Sequence, residues 1–301
     1  MIKKKGIPTG LKLFLIALPF MIFVFMMAYV PLFGWLYAFT DYKVGRYFTD
    51  VDFIGFAQFA KLVKYKSEIF RVLGNTLAMS GLGLLTSPLP ILIAIMLNEV
   101  RSKKLKSFIQ TVTTLPNFIN WIVVFGISFA VFSNNGLINT IMRQFGLPES
   151  TTGIMGDRDK VWFFQLALGN WKGLGWSAIV YLAAIAGIDS ELYEAAMIDG
   201  ANKFRRIYHI TVPGILPTYL VLLILAISNI LSNGFEQYFV FHNPLVASKI
   251  EVLDYFVYKV GILMKDYPLS IILGMIKSII GIGLLFMANT LSKKIRGQSI
   301  I

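Results

Sequence analysis

Cysteine is absent from this 301-residue chain, so a disulfide, a thiolate metal site and an iron–sulfur cluster are all excluded. Histidine is nearly absent too. Only His209 and His242 occur, far apart in sequence, which argues against a metal centre. Charged residues make up 15% of the chain, where soluble domains carry roughly 25%, and 56% of residues are hydrophobic. That balance describes a polytopic membrane protein. A G-x-x-x-x-G-K-[ST] phosphate loop is missing, so any ATP-driven motor must sit on another chain. Internal repeats are not evident, and the acidic residues lie almost entirely in loops. Both absences weigh against an ion-coupled secondary transporter. Nor do paired carboxylates or a His/Asp cluster stand out near a span end, as an integral membrane enzyme would need.

What the chain does have is six apolar stretches long enough to cross a bilayer core, which takes about 20 helical residues. They lie near Leu11–Phe39, Asn75–Leu97, Phe108–Phe132, Trp162–Ile188, Ile215–Gly234 and Leu269–Leu291. The expectation is an all-α fold of six transmembrane helices spanning 11–291, with short tails at 1–10 and 292–301. Pro19, Pro31, Pro88, Pro90 and Pro116 interrupt several stretches, which is tolerated where a neighbour or a cavity satisfies the freed carbonyls. The first stretch is too long for a cleavable signal peptide, and no small-residue cleavage site follows it.

The net charge of +12 reads as topological. Its residues flank the spans and form no nucleic-acid stripe with stacking aromatics, so nucleic acid is not expected as a partner. Lys3, Lys4, Lys5 and Lys12 precede the first span, and Arg101, Lys103, Lys104 and Lys106 fill the second loop. Lys203, Arg205 and Arg206 lie in the fourth loop; Lys293, Lys294 and Arg296 follow the last span. All four groups fall on one side of a six-span arrangement, which the positive-inside rule makes cytoplasmic, with both termini inside. The run Lys61, Lys64, Lys66 and Arg71 is the exception, assigned to an amphipathic segment on the outer side.

One loop carries the most information. Ala195, Ala196 and Met197 are strong helix formers, and Gly200 is placed to end a short helix. Asp189 and Ser190 can cap its start, with Glu191 and Glu194 near the positive end of its dipole. Across 189–213 the pattern is E-A-A from Glu194, three residues, Gly200, nine residues, then Ile210-Thr211-Val212-Pro213. It resembles the cytoplasmic E-A-A-x3-G-x9-I-x-L-P loop of permease subunits in bacterial ABC importers, with Val212 in place of leucine. An ordinary solvated loop does not require that spacing.

The likeness extends through Trp171-Lys172-Gly173-Leu174-Gly175-Trp176, Tyr181-Leu182-Ala183-Ala184, Gly234-Phe235-Glu236-Gln237 and Asn243-Pro244. These segments are similar to carbohydrate-importer permeases, in particular the subgroup associated with complex oligo- and polysaccharides. The resemblance implies type I importer architecture in a bacterial plasma membrane, with no catalytic residue in this chain. A second homologous permease would complete the path. Two cytoplasmic ATPase subunits would bind ATP and Mg, so this chain needs no cofactor of its own. An extracytoplasmic sugar-binding protein would deliver the oligosaccharide. Glu194, Ala195, Ala196, Asp199 and Gly200 are the expected ATPase-docking residues. A permease for a non-sugar solute shares the E-A-A loop and stays open as an alternative.

Polar residues inside the spans are the candidates for the substrate path, because each is costly without water or a partner. Asn229 and Asn233 stand i,i+4 on the expected fifth helix, with Glu236 three residues further among aromatics. They suit a sugar path or interhelical packing equally. Asn170, Trp171, Lys172 and Trp176 lie in the fourth span. Lys172 and Trp176 share a face, where an ammonium and an indole could flank one ligand. Lys277 sits well inside the sixth span. Together Lys172 and Lys277 suggest an acidic oligosaccharide, with the two ammonium groups meeting its carboxylates; Lys277 could instead pair with an acidic residue of this chain or of the second permease.

Overall fold

Proline placement governs how the apolar stretches become helices. The computed structural model describes residues 8–47, 50–148 and 153–296. Among these the only β-pairing is an isolated bridge between Thr40 and Phe53. Helix α1 (Thr9–Val24) starts behind Pro8, passes Pro19, and continues as a π turn over Phe25–Tyr29 and a 3-10 stretch over Val30–Phe39. Pro31 explains the loosened winding, since its ring would otherwise crowd the carbonyl four residues back. A short 3-10 stretch at Gly55–Phe59 leads into α2 (Ala60–Lys64) and α3 (Lys66–Thr86). Pro88 and Pro90 then restart the chain as α4 (Leu89–Asn98), where a proline in the first turn costs no hydrogen bond.

Beyond the next loop come α5 (Lys103–Thr114), a 3-10 turn at Leu115–Phe118, and α6 (Trp121–Phe132). The short helices α7 (Leu137–Gln144) and α8 (Gly153–Gly156) precede the long α9 (Val161–Ala186). Then follow α10 (Ser190–Ile198), α11 (Lys203–Arg206), a π turn at Ile207–Thr211 and α12 (Val212–Ser228). Three short helices, α13 (Glu236–Phe241), α14 (Ala247–Ile250) and α15 (Leu253–Tyr258), lead through a third π turn at Lys259–Leu263 to α16 (Tyr267–Arg296).

Among the described residues, five helical runs are long and apolar enough to span a membrane: Gly10–Phe39, Lys66–Asn98, Trp121–Gln144, Lys203–Ser228 and Tyr267–Lys294. The pair α9 and α10, bent by 69°, supplies a sixth. The third expected span, Phe108–Phe132, is not continuous. Pro116 ends the first part, and the Asn120 side chain starts the second by accepting from the N–H groups of Ile122 at 2.7 Å and Val123 at 3.1 Å. The fifth span stops at Ser228 rather than Gly234. The basic run at 61–71 divides, Lys61 and Lys64 lying in α2, Lys66 and Arg71 in the membrane-length helix α3. Helix extends past the expected limits at both ends, from Thr9 to Arg296. Lys3, Lys4 and Lys5 lie outside the described residues.

The chain forms two compact units. One comprises the N-terminal part to Lys66 with Val257–Ile276. There the Phe39 ring meets Phe53, Phe56 and Phe59 at 5.4–6.5 Å between centroids. Lys61 is paired with Asp266 at 2.7 Å, and Asp266 also accepts from the Leu269 N–H at the start of α16.

The other unit comprises Ser67–Phe256 and the chain from Lys277. Its centre is Ala94 of α4, Ala178, Tyr181 and Ile185 of α9, and Ile215 of α12. Small residues matter here because lipid-embedded helices gain by close backbone approach rather than by escaping water. At Gly175 the α9 backbone lies so near the Thr113 carbonyl that a Cβ would overlap it. Buried polar groups close the remaining gaps. Asn75 donates to the carbonyls of Ser248 and Glu251, both at 3.0 Å; Thr76 accepts from the Leu253 N–H at 2.8 Å; and Arg71 pairs with the buried Glu251 carboxylate.

Gly175 gives a direct test of this packing. Gly175→Val should destabilise the detergent-solubilised protein by about 1–3 kcal/mol, the usual cost of overpacking. Gly173→Val, with nothing within 4 Å of the new carbon, should leave the melting temperature nearly unchanged.

Candidate functional site

The E-A-A segment folds as expected. Asp189 is the N-cap of α10, its carboxylate accepting from the Glu191 N–H at 3.0 Å. Gly200 ends the turn at φ +73°, a conformation that disfavours other residues. Glu194, Ala195, Asp199 and Gly200 are exposed and Ala196 partly so. Met197 and Ile198 project further, Ile198 being 88% exposed. An exposed apolar helix tip of this kind is unstable alone in water and suits a partner's cleft.

Two contacts fix α10 and its following segment to the body, and a local cap orders that segment. Tyr193 and Thr211 share a hydroxyl hydrogen bond of 2.9 Å. Lys203 pairs with Glu99 at the end of α4, at 3.1 Å. Asn202 caps α11 through the Arg205 N–H at 2.9 Å. Between α10 and the body lies a cavity of about 290 Å³ lined by Glu99, Ser190, Tyr193, Arg206 and Thr211 among others.

The two intramembrane lysines serve breaks in the helices. Lys172 of α9 donates to the carbonyls of Pro116 at 3.3 Å and Asn117 at 2.6 Å where the third span is interrupted, and the Pro116 carbonyl also accepts from the Ile119 N–H at 3.2 Å. Its ammonium also lies 5.6 Å from the centre of the Trp121 ring, and Glu236 acts on it electrostatically. Trp176, one turn along, sets its ring edge-on to Phe118 at 5.7 Å. Lys172 and Trp176 do share a face, and what they flank is the 115–121 break.

Lys277 pairs with Asp254 of this same chain, one of the two pairings its position allowed. The other Asp254 oxygen accepts from the N–H groups of Asn233 at 2.9 Å and Gly234 at 3.0 Å. Lysine, aspartate and two amides thus close the break after α12.

This break also corrects the fifth-span expectation. Asn229 is the C-cap of α12, its amide donating back to the Leu225 carbonyl at 2.8 Å, and Asn233 lies beyond the helix, so the two are not i,i+4 partners. The Asn233 amide donates to Ser80 at 2.8 Å, while its Oδ1 is buried with no partner among the described residues. Asn229, Lys277, Ser228 and Ser278 line one groove of about 440 Å³. Asn170 lies elsewhere on α9, its Oδ1 accepting from Thr86 at 3.4 Å, and Trp171 is 46% exposed. Glu236 opens α13 and is exposed. The candidates therefore divide among the two breaks and separate positions on α9 and α13 rather than forming one pocket.

Sequence reasoning missed Asp254, which looked like a loop carboxylate, and Asn120, hidden inside an apolar run. The only signal for either was an unpaired partner: a lysine deep in a span and a proline that had to break one. In the 157–160 turn, Lys160 holds the Asp157 carboxyl below its usual range through a 2.8 Å contact, and Asp157 raises the Lys160 ammonium in return. Among the described residues no group of three or more metal-ligating side chains occurs.

Comparison with known proteins adds relatives to this geometry. Residues 86–297 match the family described as the binding-protein-dependent transport system inner membrane component. Protein LplB of Bacillus subtilis (strain 168) is 38% identical over 286 residues, covering 94% of this chain and 88% of LplB. The polygalacturonan/rhamnogalacturonan transport system permease protein YteP of the same organism is 36% identical, covering 96% and 89%. Among solved structures, a chain of a bacterial alginate ABC transporter in complex with an alginate pentasaccharide-bound periplasmic protein superposes with a TM-score of 0.85. It is 31% identical, and the match covers 96% of both chains.

The ion pair at the second break yields a double-variant test. Removing one partner of a buried pair costs about 3–5 kcal/mol, and less where water reaches it, as at these partly exposed side chains. Lys277→Met and Asp254→Asn should each lower the melting temperature in detergent. The combined variant should melt above Lys277→Met, because the uncompensated carboxylate is gone.

Proposed function

The chain belongs to the family of binding-protein-dependent transport system inner membrane components, and from that premise we propose that it is one of two related permeases forming the path of an ATP-driven oligosaccharide importer. It is a multi-pass subunit of the inner membrane. The exposed α10, capped by Asp189 and tied to Thr211 through Tyr193, with the following α11 held to Glu99 through Lys203, is the observation that carries the reading. A short helix anchored in this way transmits displacement, which a loose loop would absorb. Glu194, Ala195, Ala196, Asp199 and Gly200 dock the ATPase, with Met197 and Ile198 filling its cleft. ATP and Mg are bound on that partner, since this sequence holds no phosphate loop. The basic flanks support a cytoplasmic α10 and cytoplasmic termini.

The substrate is an oligosaccharide that includes uronic acid units. Support comes from relatives: YteP is named for polygalacturonan and rhamnogalacturonan, and a structural neighbour imports the acidic polysaccharide alginate. Lys172 and Lys277 are engaged by this chain's own carbonyls and carboxylate, so their role is to hold the path's shape. Asn170, Trp171, Trp176, Asn229, Asn233 and Glu236 remain the polar and aromatic lining. The second permease and an extracytoplasmic binding protein complete the assembly.

Co-purification of the tagged chain tests the assembly directly. The wild type should bring down a second permease and a P-loop ATPase. Ile198→Asp should abolish ATPase recovery and sugar uptake, while the second permease still co-purifies and the melting temperature holds. Loss of the second permease together with the ATPase would show a folding defect instead.

A further inference from the structure

Away from the two breaks, a cavity of about 690 Å³ opens between the end of α6 and the turn at 242–245. Its size falls in the roughly 300–1,000 Å³ range of small-molecule sites. Phe125, Phe129, Asn134, Asn135, His242 and Asn243 line it, with Met155 and Gly156 at one wall. In the proposed orientation it lies on the side opposite α10, where substrate arrives.

The lining is divided between fixed and available groups. Phe125 is set edge-on against Phe241, with centroids 5.2 Å apart, and forms the back wall. Phe129 leans on Phe125 at 6.0 Å and stays 56% exposed. Asn243 is tied down, its amide donating to Phe241 and Met155 and its Oδ1 accepting from the Leu245 N–H at 3.1 Å. Asn134 accepts from Asn139 through its carbonyl at 2.8 Å. Asn135 is exposed, and its side-chain amide makes no hydrogen bond among the described residues. A ring face and an unengaged amide side by side match the two kinds of surface a sugar presents. Asparagine, serine and histidine lining would be costly against acyl chains.

Charge then narrows the ligand. Arg158 stands two residues beyond Gly156, and its exposed guanidinium donates to Ser248 at 2.8 Å, three residues beyond Leu245. It therefore bridges the two segments that leave the cavity walls. Lys160 is neutralised by Asp157, and Lys249 lies over the Trp162 ring at 4.6 Å.

We propose that this cavity is an entry subsite for one uronate unit of the saccharide, with Phe129 against its C–H face, Asn135 on its hydroxyls and Arg158 on its carboxylate. This rests on the reading of the chain as a saccharide importer. The cavity shares none of its lining with the residues assigned to the path.

The test uses the assembled importer with its binding protein in proteoliposomes, given labelled trigalacturonate or its uncharged methyl ester. A benzophenone amino acid placed at Phe129 should crosslink to labelled trigalacturonate during turnover. Arg158→Ala should lower trigalacturonate uptake about tenfold, the loss of one charge-assisted hydrogen bond, without lowering uptake of the ester. Arg158→Lys should restore most of it. Crosslinking to the binding protein alone would overturn the subsite and make this face a protein dock. Equal uptake of trigalacturonate by wild type and Arg158→Ala would overturn the role of Arg158. Wild-type importer that carries neither saccharide would instead remove the function reading itself.

Discussion

Inside a bilayer an open backbone carbonyl or amide has no water to turn to, and the rest of this structure depends on how that is met. A chain of unbroken helices would meet it everywhere, but would also offer no polar surface to a hydrophilic cargo. Here two helices stop part-way, around Pro116 and after Ser228, and each interruption is closed by a charged side chain from a distant helix. The cation at the first break takes the carbonyls of Pro116 and Asn117, the first of them shared with the Ile119 N–H. At the second, a carboxylate takes two amides that have lost their acceptors, and a lysine balances its charge.

This arrangement changes what an intramembrane lysine signifies. Both ammonium groups looked available to an acidic ligand, and the relatives do include importers named for acidic polysaccharides. The inference from lysine to acidic cargo ran through ammonium groups that this chain's own carbonyls and carboxylate engage. Selectivity for charge is better placed where water can rehydrate the ligand between contacts. A guanidinium at a solvent-facing rim meets that condition; an ion-paired ammonium inside the helix bundle does not.

How much could be read in advance follows from the range of the interactions. The α10 helix was legible because everything that makes it is local: a capping aspartate, alanines, and a glycine at positive φ. The spans were legible because hydropathy is summed over many residues. The break in the third span was half legible, since Pro116 announced it, but Asn120 as its cap was not visible within the apolar run. The end of α12 was misjudged by a turn and a half. Nothing between Ser228 and Gly234 forbids a helix locally, and what stops it is Asp254, twenty residues on, bonding the amides of Asn233 and Gly234. Pairings at that separation leave no periodic trace in a single sequence.

The π turns carry a consequence of their own. At Phe25–Tyr29, Ile207–Thr211 and Lys259–Leu263 each winding closes from N–H to a carbonyl five residues back, so each stores one residue beyond the α repeat. Rewound to α geometry, such a turn would swivel everything beyond it by about 100° and lengthen the rod by about 1.5 Å. Two of the three are followed directly by a proline at the next turn, Pro31 and Pro213, which keeps them from relaxing. The third, at Lys259–Leu263, is held differently: the Val260 carbonyl accepts from the Asp266 N–H at 3.0 Å, and Gly261 packs against Ser270 of α16, which begins four residues later.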